Sequence, residues 1–211
     1  MELIQTIWPS LMSGFLISLR IFFIVGLISI PLGFLIAVVR VYAPRWIGAL
    51  IQVYIFIMRG TPLLLQLMFF FFGLPFVGIV MDRFTAAILA FIINYAAYYA
   101  EIFRGGIMAI PRDQFESIDV LGIGKLRGFI RIIIPQVFRI VLPSIGNEII
   151  SLVKDTSLVY ILGIGELLRA GQIAANTYAS LIPFLGVGVL YLVITGIITL
   201  ILNSLESRRK F

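Results

Sequence analysis

Glu148, Ser151, Leu152 and Asp155 recur at the i, i+3, i+4, i+7 spacing of one helical face. In an apolar helix that spacing puts two carboxylates on a stripe about 10 Å long, at about 1.5 Å per residue. A charged side chain at the bilayer centre costs about 2.5–3.5 kcal/mol on insertion scales, so ionisable residues in such a run are functional candidates. Two carboxylates this close repel unless a cation joins them, and a cationic solute is one candidate. Lys154 sits on a different azimuth. It is placed to pair with Asp155, to reach a neighbouring helix, or to hold a substrate carboxylate; its bland reading is an ion pair that locks helices together.

A second face matches the first. Asn94, Tyr98 and Glu101 stand at i, i+4, i+7, with Tyr95 and Tyr99 beside them. Tyrosines near helix ends often serve only as interfacial anchors, but Asn94 and Tyr98 fall inside an apolar run and are expected to face a cavity. Glu101 and Arg104 are spaced for an ion pair at the end of that helix. Arg59 and Thr61 flank Gly60 and Pro62, which kink or break a helix. Freed backbone groups beside a cation suit a carboxylate there, although Arg59 would also serve as a simple interface marker. Arg20 is expected to snorkel outward and is assigned no role.

Positioning these residues falls to membrane-spanning helices. The chain has 211 residues, 61% of them apolar and 12% charged, a composition that ordinary soluble domains do not tolerate. At about 20 apolar residues per span there is room for about five spans and no separate soluble domain. The fold class is therefore an all-α integral membrane protein, with residues 1–211 forming a single domain. The spans are read at about Leu11–Val39, Trp46–Phe72 with a break at Gly60–Pro62, Phe84–Phe103, Val141–Leu162 and Leu181–Leu205. The first carries Arg20 and no small-residue cleavage site follows it, so it reads as a retained span.

Arg40, Arg45, Arg104, Arg112, Lys125, Arg127, Arg131, Arg139, Arg208, Arg209 and Lys210 fall on one side of the spans, against Arg83 and Arg169 on the other. The positive-inside rule then puts the amino terminus outside and the carboxyl terminus in the cytoplasm. The net charge of +6 reflects this topology and not nucleic-acid binding. Without cysteine or histidine there are no thiolate metal sites and no imidazole base. Gly122-Ile123-Gly124-Lys125-Leu126 lacks the upstream Gly and the following Ser or Thr of a P-loop, so ATP hydrolysis is not expected on this chain. No internal repeat supports a single-chain inverted-repeat carrier.

A polar island, Glu116 to Pro135, interrupts the spans. Its charges lie among Ile118, Leu121, Leu126 and Phe129 at roughly helical spacing, which suits short amphipathic helices at a membrane surface as well as a plain connecting loop. The island resembles the EAA loop of permease subunits of binding-protein-dependent ABC importers. Glu116-Ser117-Ile118, Gly122 and Ile132-Ile133-Ile134-Pro135 keep every spacing of that pattern, with both Ala positions and the Leu replaced. Arg59 to Gln66, Ala100 to Gly106 and Leu152 to Leu158 are similar to the polar amino acid permease branch, and within it to the arginine type.

This resemblance implies a cytoplasmic coupling helix between spans three and four, within a loop at about 112–135. Glu116, Ser117, Asp119, Gly122, Ile123 and Gly124 would meet the partner ATPase, Gly122 permitting the turn between two short helices. The implied partners are two cytoplasmic ABC ATPase subunits that carry the ATP and Mg, a second permease copy (a homodimer in the arginine type, a heterodimer being the other option), an extracytoplasmic amino-acid-binding protein and membrane lipid. The implied location is the bacterial inner membrane. The expected cargo is a basic amino acid held by Glu148, Asp155, Asn94, Tyr98 and Ser151, with Lys154, Arg59 or the backbone near Thr61 taking its carboxylate. A polar uncharged or acidic amino acid is the nearest alternative. A proton-coupled carrier or channel using the two carboxylates as a relay comes from another class, and an intramembrane hydrolase has little to support it.

Overall fold

The apolar runs fold as long helices. The computed structural model describes residues 2–207, so Arg208, Arg209 and Lys210, used above for topology, lie outside the described residues. In chain order the helices are α1 (Glu2–Tyr42), α2 (Arg45–Gly60), α3 (Leu63–Met68), α4 (Arg83–Met108), α5 (Arg112–Val120), α6 (Lys125–Gly128), α7 (Ile134–Asp155), α8 (Leu167–Thr177) and α9 (Ile182–Ser207). A π-turn at Phe69–Gly73 and a 3-10 turn at Leu74–Val77 prolong α3. Among the described residues, four helices are each long and apolar enough to cross a membrane, and the pair α2–α3, bent by 104° at its break, meets the same length and hydropathy test when taken as one broken span.

α4 is the central element, and small residues put it there. Between lipid-facing helices there is no hydrophobic driving force, so association depends on how closely backbones approach. Ala86, Ala87, Ala90, Ala96, Ala97 and Ala100 are all buried on α4. Facing it, Gly33 of α1 lies so close that a Cβ there would sit 2.5 Å from Tyr99 Cβ and 2.9 Å from the Ala96 carbonyl oxygen. On the α7 side, a Cβ at Gly106 would meet Val141 Cγ1 at 2.3 Å. α9, by contrast, leaves most of its surface exposed, Leu192 and Leu200 among it, and has a lipid-facing composition.

Arginines mark two levels along these helices. Arg40 of α1 and Arg104 of α4 both pair with Glu101, as the i, i+3 spacing led us to expect for Arg104. Arg20 lies twenty residues back along α1 and Arg83 twenty-one residues back along α4, each about 30 Å away, one hydrocarbon thickness.

Two elements differ from the sequence reading. Residues Lys125–Leu162 form one 38-residue apolar helix, built from α6, a π-turn at Phe129–Ile133, α7 and a 3-10 turn at Thr156–Leu162. The second half of the polar island is thus the start of span four and not a separate short helix. The physical reason is that Ile133 and Val137 are buried in the core, so its apolar face continues that of α7. α8 was not anticipated. It is too short to span, and it buries Leu167, Gly171, Ala174 and Ala175 against the amino-terminal ends of α1 and α9.

The start of α8 is fixed by Glu166. This fully buried carboxylate accepts the Leu168 and Arg169 N–H groups at 2.7 Å, and the Tyr191 hydroxyl stands 3.5 Å away. Burial pushes its pKa up from 4.5 to about 7, against the opposing pull of those N–H groups and Arg169. Because the folded chain holds this proton more tightly than the unfolded one, the associated stability is fully present below about pH 4.5. It is lost as pH rises and gone above about pH 7. Its size is on the order of 3 kcal/mol. Thermal melts in detergent should show this slope between pH 5 and 7.5, and Glu166→Gln should flatten it; an unchanged slope would remove Glu166 as its source.

Candidate functional site

The break between α2 and α3 opens a polar pocket against α4 and α7. Thr61 is extended and Pro62 leads into α3, so the α2 carbonyls at the break lose their helical partners. Gln66 replaces them. Its Nε2 reaches the Thr61 hydroxyl at 2.7 Å, the Met58 carbonyl at 3.0 Å and the Thr61 carbonyl at 3.3 Å. Its Oε1 accepts Asn94 Nδ2 at 3.0 Å, and that nitrogen also donates to Met58 at 2.9 Å. The Thr61 hydroxyl donates to the Ile57 carbonyl at 2.8 Å, and Tyr54 donates to the Ile93 carbonyl at 2.6 Å. A broken helix in a bilayer persists only when its freed groups are satisfied in this way.

Gln66→Leu would take the side-chain donor from the Thr61 carbonyl and leave Met58 with Asn94 alone, at a cost of about 1–3 kcal/mol. We expect a lower melting temperature in detergent and weakened solute binding, whereas Gln66→Glu, at acid pH, should retain part of the network. A Leu variant as stable as the parent would show that the break is held by other contacts.

The pocket has a volume of about 600 Å³, in the range of small-molecule sites. The break contributes Arg59, Gly60, Thr61, Pro62 and Leu63; α4 contributes Asn94, Tyr95 and Tyr98; α7 contributes Glu148, Ser151 and Asp155; and Leu158 closes one side. Tyr95 donates to Asp155 at 2.7 Å. The Arg59 guanidinium carbon lies 5.2 Å from the centre of the Tyr98 ring, within cation–π range. Tyr95 is twelve residues from Arg83 and nine from Arg104, about 18 and about 14 Å along α4, so its contact with Asp155 lies near the middle of the membrane. The formal charges of Arg59, Glu148 and Asp155 sum to one excess negative charge.

Glu148, Asp155, Asn94, Tyr98, Ser151, Arg59 and Thr61 are thus brought together from the sequence reading. Lys154 is not. It is exposed on α7 and absent from the pocket lining, because one residue from Asp155 is about 100° around a helix. It makes no ion pair with Asp155 among the described residues. Asn94 lines the pocket, but its amide nitrogen is committed to the break, leaving its oxygen for a solute. Sequence reasoning missed Gln66 as the brace and Tyr95 as the partner of Asp155. A lone amide four residues after Pro62 in a leucine run was the available signal for the first. Arg20 is exposed on α1, its guanidinium carbon 4.8 Å from the centre of the Phe84 ring.

A second surface lies at the Arg40–Arg104 end. α5 closes on a Schellman turn: the Ile123 N–H bonds the Ile118 carbonyl at 3.0 Å, the Gly122 N–H bonds that of Asp119 at 3.1 Å, and Gly122 has φ +66°. Glu116, Ser117, Asp119, Gly122 and Gly124 are exposed, joined by apolar Val120, Leu121 and Leu126. Ile123 departs from this set, being half-buried in the same apolar cluster as Ile118. Gly128, outside the EAA pattern, makes room for Ile118, whose Cγ2 would lie 2.4 Å from an added Cβ.

Residues 29–211 match the family model described as binding-protein-dependent transport system inner membrane component. The chain belongs to this family. This permease is 36% identical to the arginine transport system permease protein ArtQ of Bacillus subtilis over 96% of this chain and 93% of that one. It is also 36% identical to the glutamine transport system permease protein GlnP of Escherichia coli, over 98% and 97%. The solved structure described as an amino acid ABC transporter with histidines superposes with TM-score 0.87 at 33% identity, covering 95% of this permease and 94% of that chain. The MetNI methionine ABC transporter, at 17% identity and TM-score 0.81 over 94% and 95%, shares the fold. The permease is a multi-pass inner membrane component of a binding-protein-dependent transport system.

Proposed function

We propose that this permease forms the pathway of an ATP-driven importer for basic amino acids, arginine foremost. The observation that carries this reading is the excess negative charge of the midmembrane pocket, where Glu148 and Asp155 face a single arginine, Arg59. A zwitterion with a cationic side chain brings the compensating positive charge, and near the bilayer centre neutrality is worth several kcal/mol. The side-chain cation lies between the two carboxylates, with Ser151 and Tyr98 as neutral partners. Its α-carboxylate lies toward Arg59 and the N–H groups after Pro62. The arginine permease among its relatives supports this direction.

Two copies of the permease, each with its own pocket, pair with two ATPase subunits that hold ATP and Mg, and an extracytoplasmic binding protein delivers the cargo. α5 docks in the ATPase with Glu116, Ser117 and Asp119 beside Val120 and Leu121. The turn at Gly122–Gly124 joins α5 to the helix that carries Glu148 and Asp155. Displacement of α5 by the ATPase therefore moves the carboxylates along with the helix, and access alternates.

Uptake into vesicles containing the permease, its ATPase and its binding protein tests the reading. Arginine and lysine should compete with each other and outcompete glutamine and glutamate. Glutamine transported as well as arginine would overturn the basic preference, and uptake driven by a pH gradient without the ATPase would overturn the ATP-driven reading.

A further inference from the structure

The feature that neither the pocket nor the coupling surface absorbs is the pair Arg20 and Arg83. They line one shallow groove of about 730 Å³ with Ile17, Phe71, Asp82, Phe84 and Ile164. The groove lies between α1, the start of α4 and the two segments after α3 and after Leu162, opposite the Arg40–Arg104 end. Neither arginine has a carboxylate partner among the described residues, whose ion pairs all involve Glu101. Asp82 does not supply one. Its carboxylate caps α4, accepting the Phe84 and Thr85 N–H groups at 3.0 and 3.1 Å, and these bonds with Thr85 hold its pKa below the usual carboxylate range.

Both cations are positioned. Arg20 lies over the Phe84 ring, and the Arg83 guanidinium fits against Gly163, where a Cβ would stand 3.0 Å from its Nη1. Each is about 30 Å along its helix from the arginine at the other membrane face, which is headgroup level. The rest of the lining is apolar, and the neighbouring Phe76, Val77 and Val80 are exposed. We infer that this groove binds the phosphodiester of an anionic phospholipid, with Arg20 and Arg83 bracketing the phosphate and an acyl chain lying along Ile17, Phe71 and Ile164. Two arginines against one committed carboxylate leave one net positive charge, which matches a phosphodiester without a headgroup amine. The apolar lining favours a lipid over a free phosphate.

Native mass spectrometry of the intact transporter, purified with its ATPase, tests this using phosphatidylglycerol, phosphatidylethanolamine, phosphatidylcholine and glycerol phosphate as probes. We expect phosphatidylglycerol to bind most tightly, and Arg20→Gln and Arg83→Gln each to weaken it at least about tenfold. Arg20→Lys, which keeps the charge and loses the planar fork, should weaken it by a smaller factor, about threefold. Undiminished binding in both Gln variants would overturn the inference, as would an equal loss in Arg45→Gln, whose arginine is exposed near the opposite face. Displacement of the lipid by equimolar glycerol phosphate would overturn the lipid as occupant, and equal binding of phosphatidylcholine would overturn the charge selectivity.

Discussion

Asp155→Asn combined with Glu148→Gln is expected to lower the affinity of the assembled importer for arginine at least about 30-fold, which is about 2 kcal/mol. The two carboxylates line one pocket near the middle of the membrane, where a cation cannot recover its lost hydration from water. The pair should also exceed the sum of the single changes, since either remaining carboxylate can move toward the cargo. Of the single changes, Asp155→Asn should cost more, because Tyr95 donates to Asp155 at 2.7 Å and holds it in place. The separating readout is selectivity. Binding of a neutral amino acid such as glutamine should improve or hold while arginine binding falls, because the doubly amidated pocket keeps Arg59 and its neutral donors. If arginine affinity is unchanged in the double variant, the carboxylates are neutralised internally and the basic preference fails.

The second large effect is expected at the α5 surface proposed to meet the ATPase. Val120→Asp with Leu121→Asp places two charges on the exposed apolar end of α5. Buried without partners in an ATPase groove, each would cost several kcal/mol. ATP-driven uptake should fall at least about tenfold and the ATPase should no longer co-purify, while arginine binding and the melting temperature hold. Gly122→Val acts on the same surface by another route. At φ +66° a β-branched residue strains the turn by about 1–2 kcal/mol, tilting α5 without adding charge. Uptake should fall with the ATPase still bound. Normal uptake and co-purification in the double Asp variant would mean that the ATPase docks elsewhere.

The periodicity of Glu148, Ser151 and Asp155 was readable because a helix fixes which side chains share a face from spacing alone. So was the break at Gly60–Pro62, since proline lacks the donor that a continuous helix needs. The family resemblance was readable too, because the register of Glu116, Gly122 and Pro135 survives the loss of its alanines. For Lys154 the spacing gave a separate azimuth from Asp155 and no more. Only the packing of α7 against α4 decides which azimuth is a cavity and which is an outer surface.

Composition and spacing by themselves therefore determined a five-span helical membrane protein with acidic residues in span four, a broken span two and a separate motor. Local rules suffice there, because each span satisfies its own backbone bonds and its hydropathy follows the bilayer. Tertiary structure alone decided that Gln66 braces the break, that Tyr95 holds Asp155, that span four begins at Lys125 and that Arg20 meets Arg83 in one groove. Each of these joins residues from different helices or extends a helix through a shared core. Such contacts depend on how small residues such as Gly33 and Gly106 let helices approach, a property of pairs of surfaces that no single segment carries.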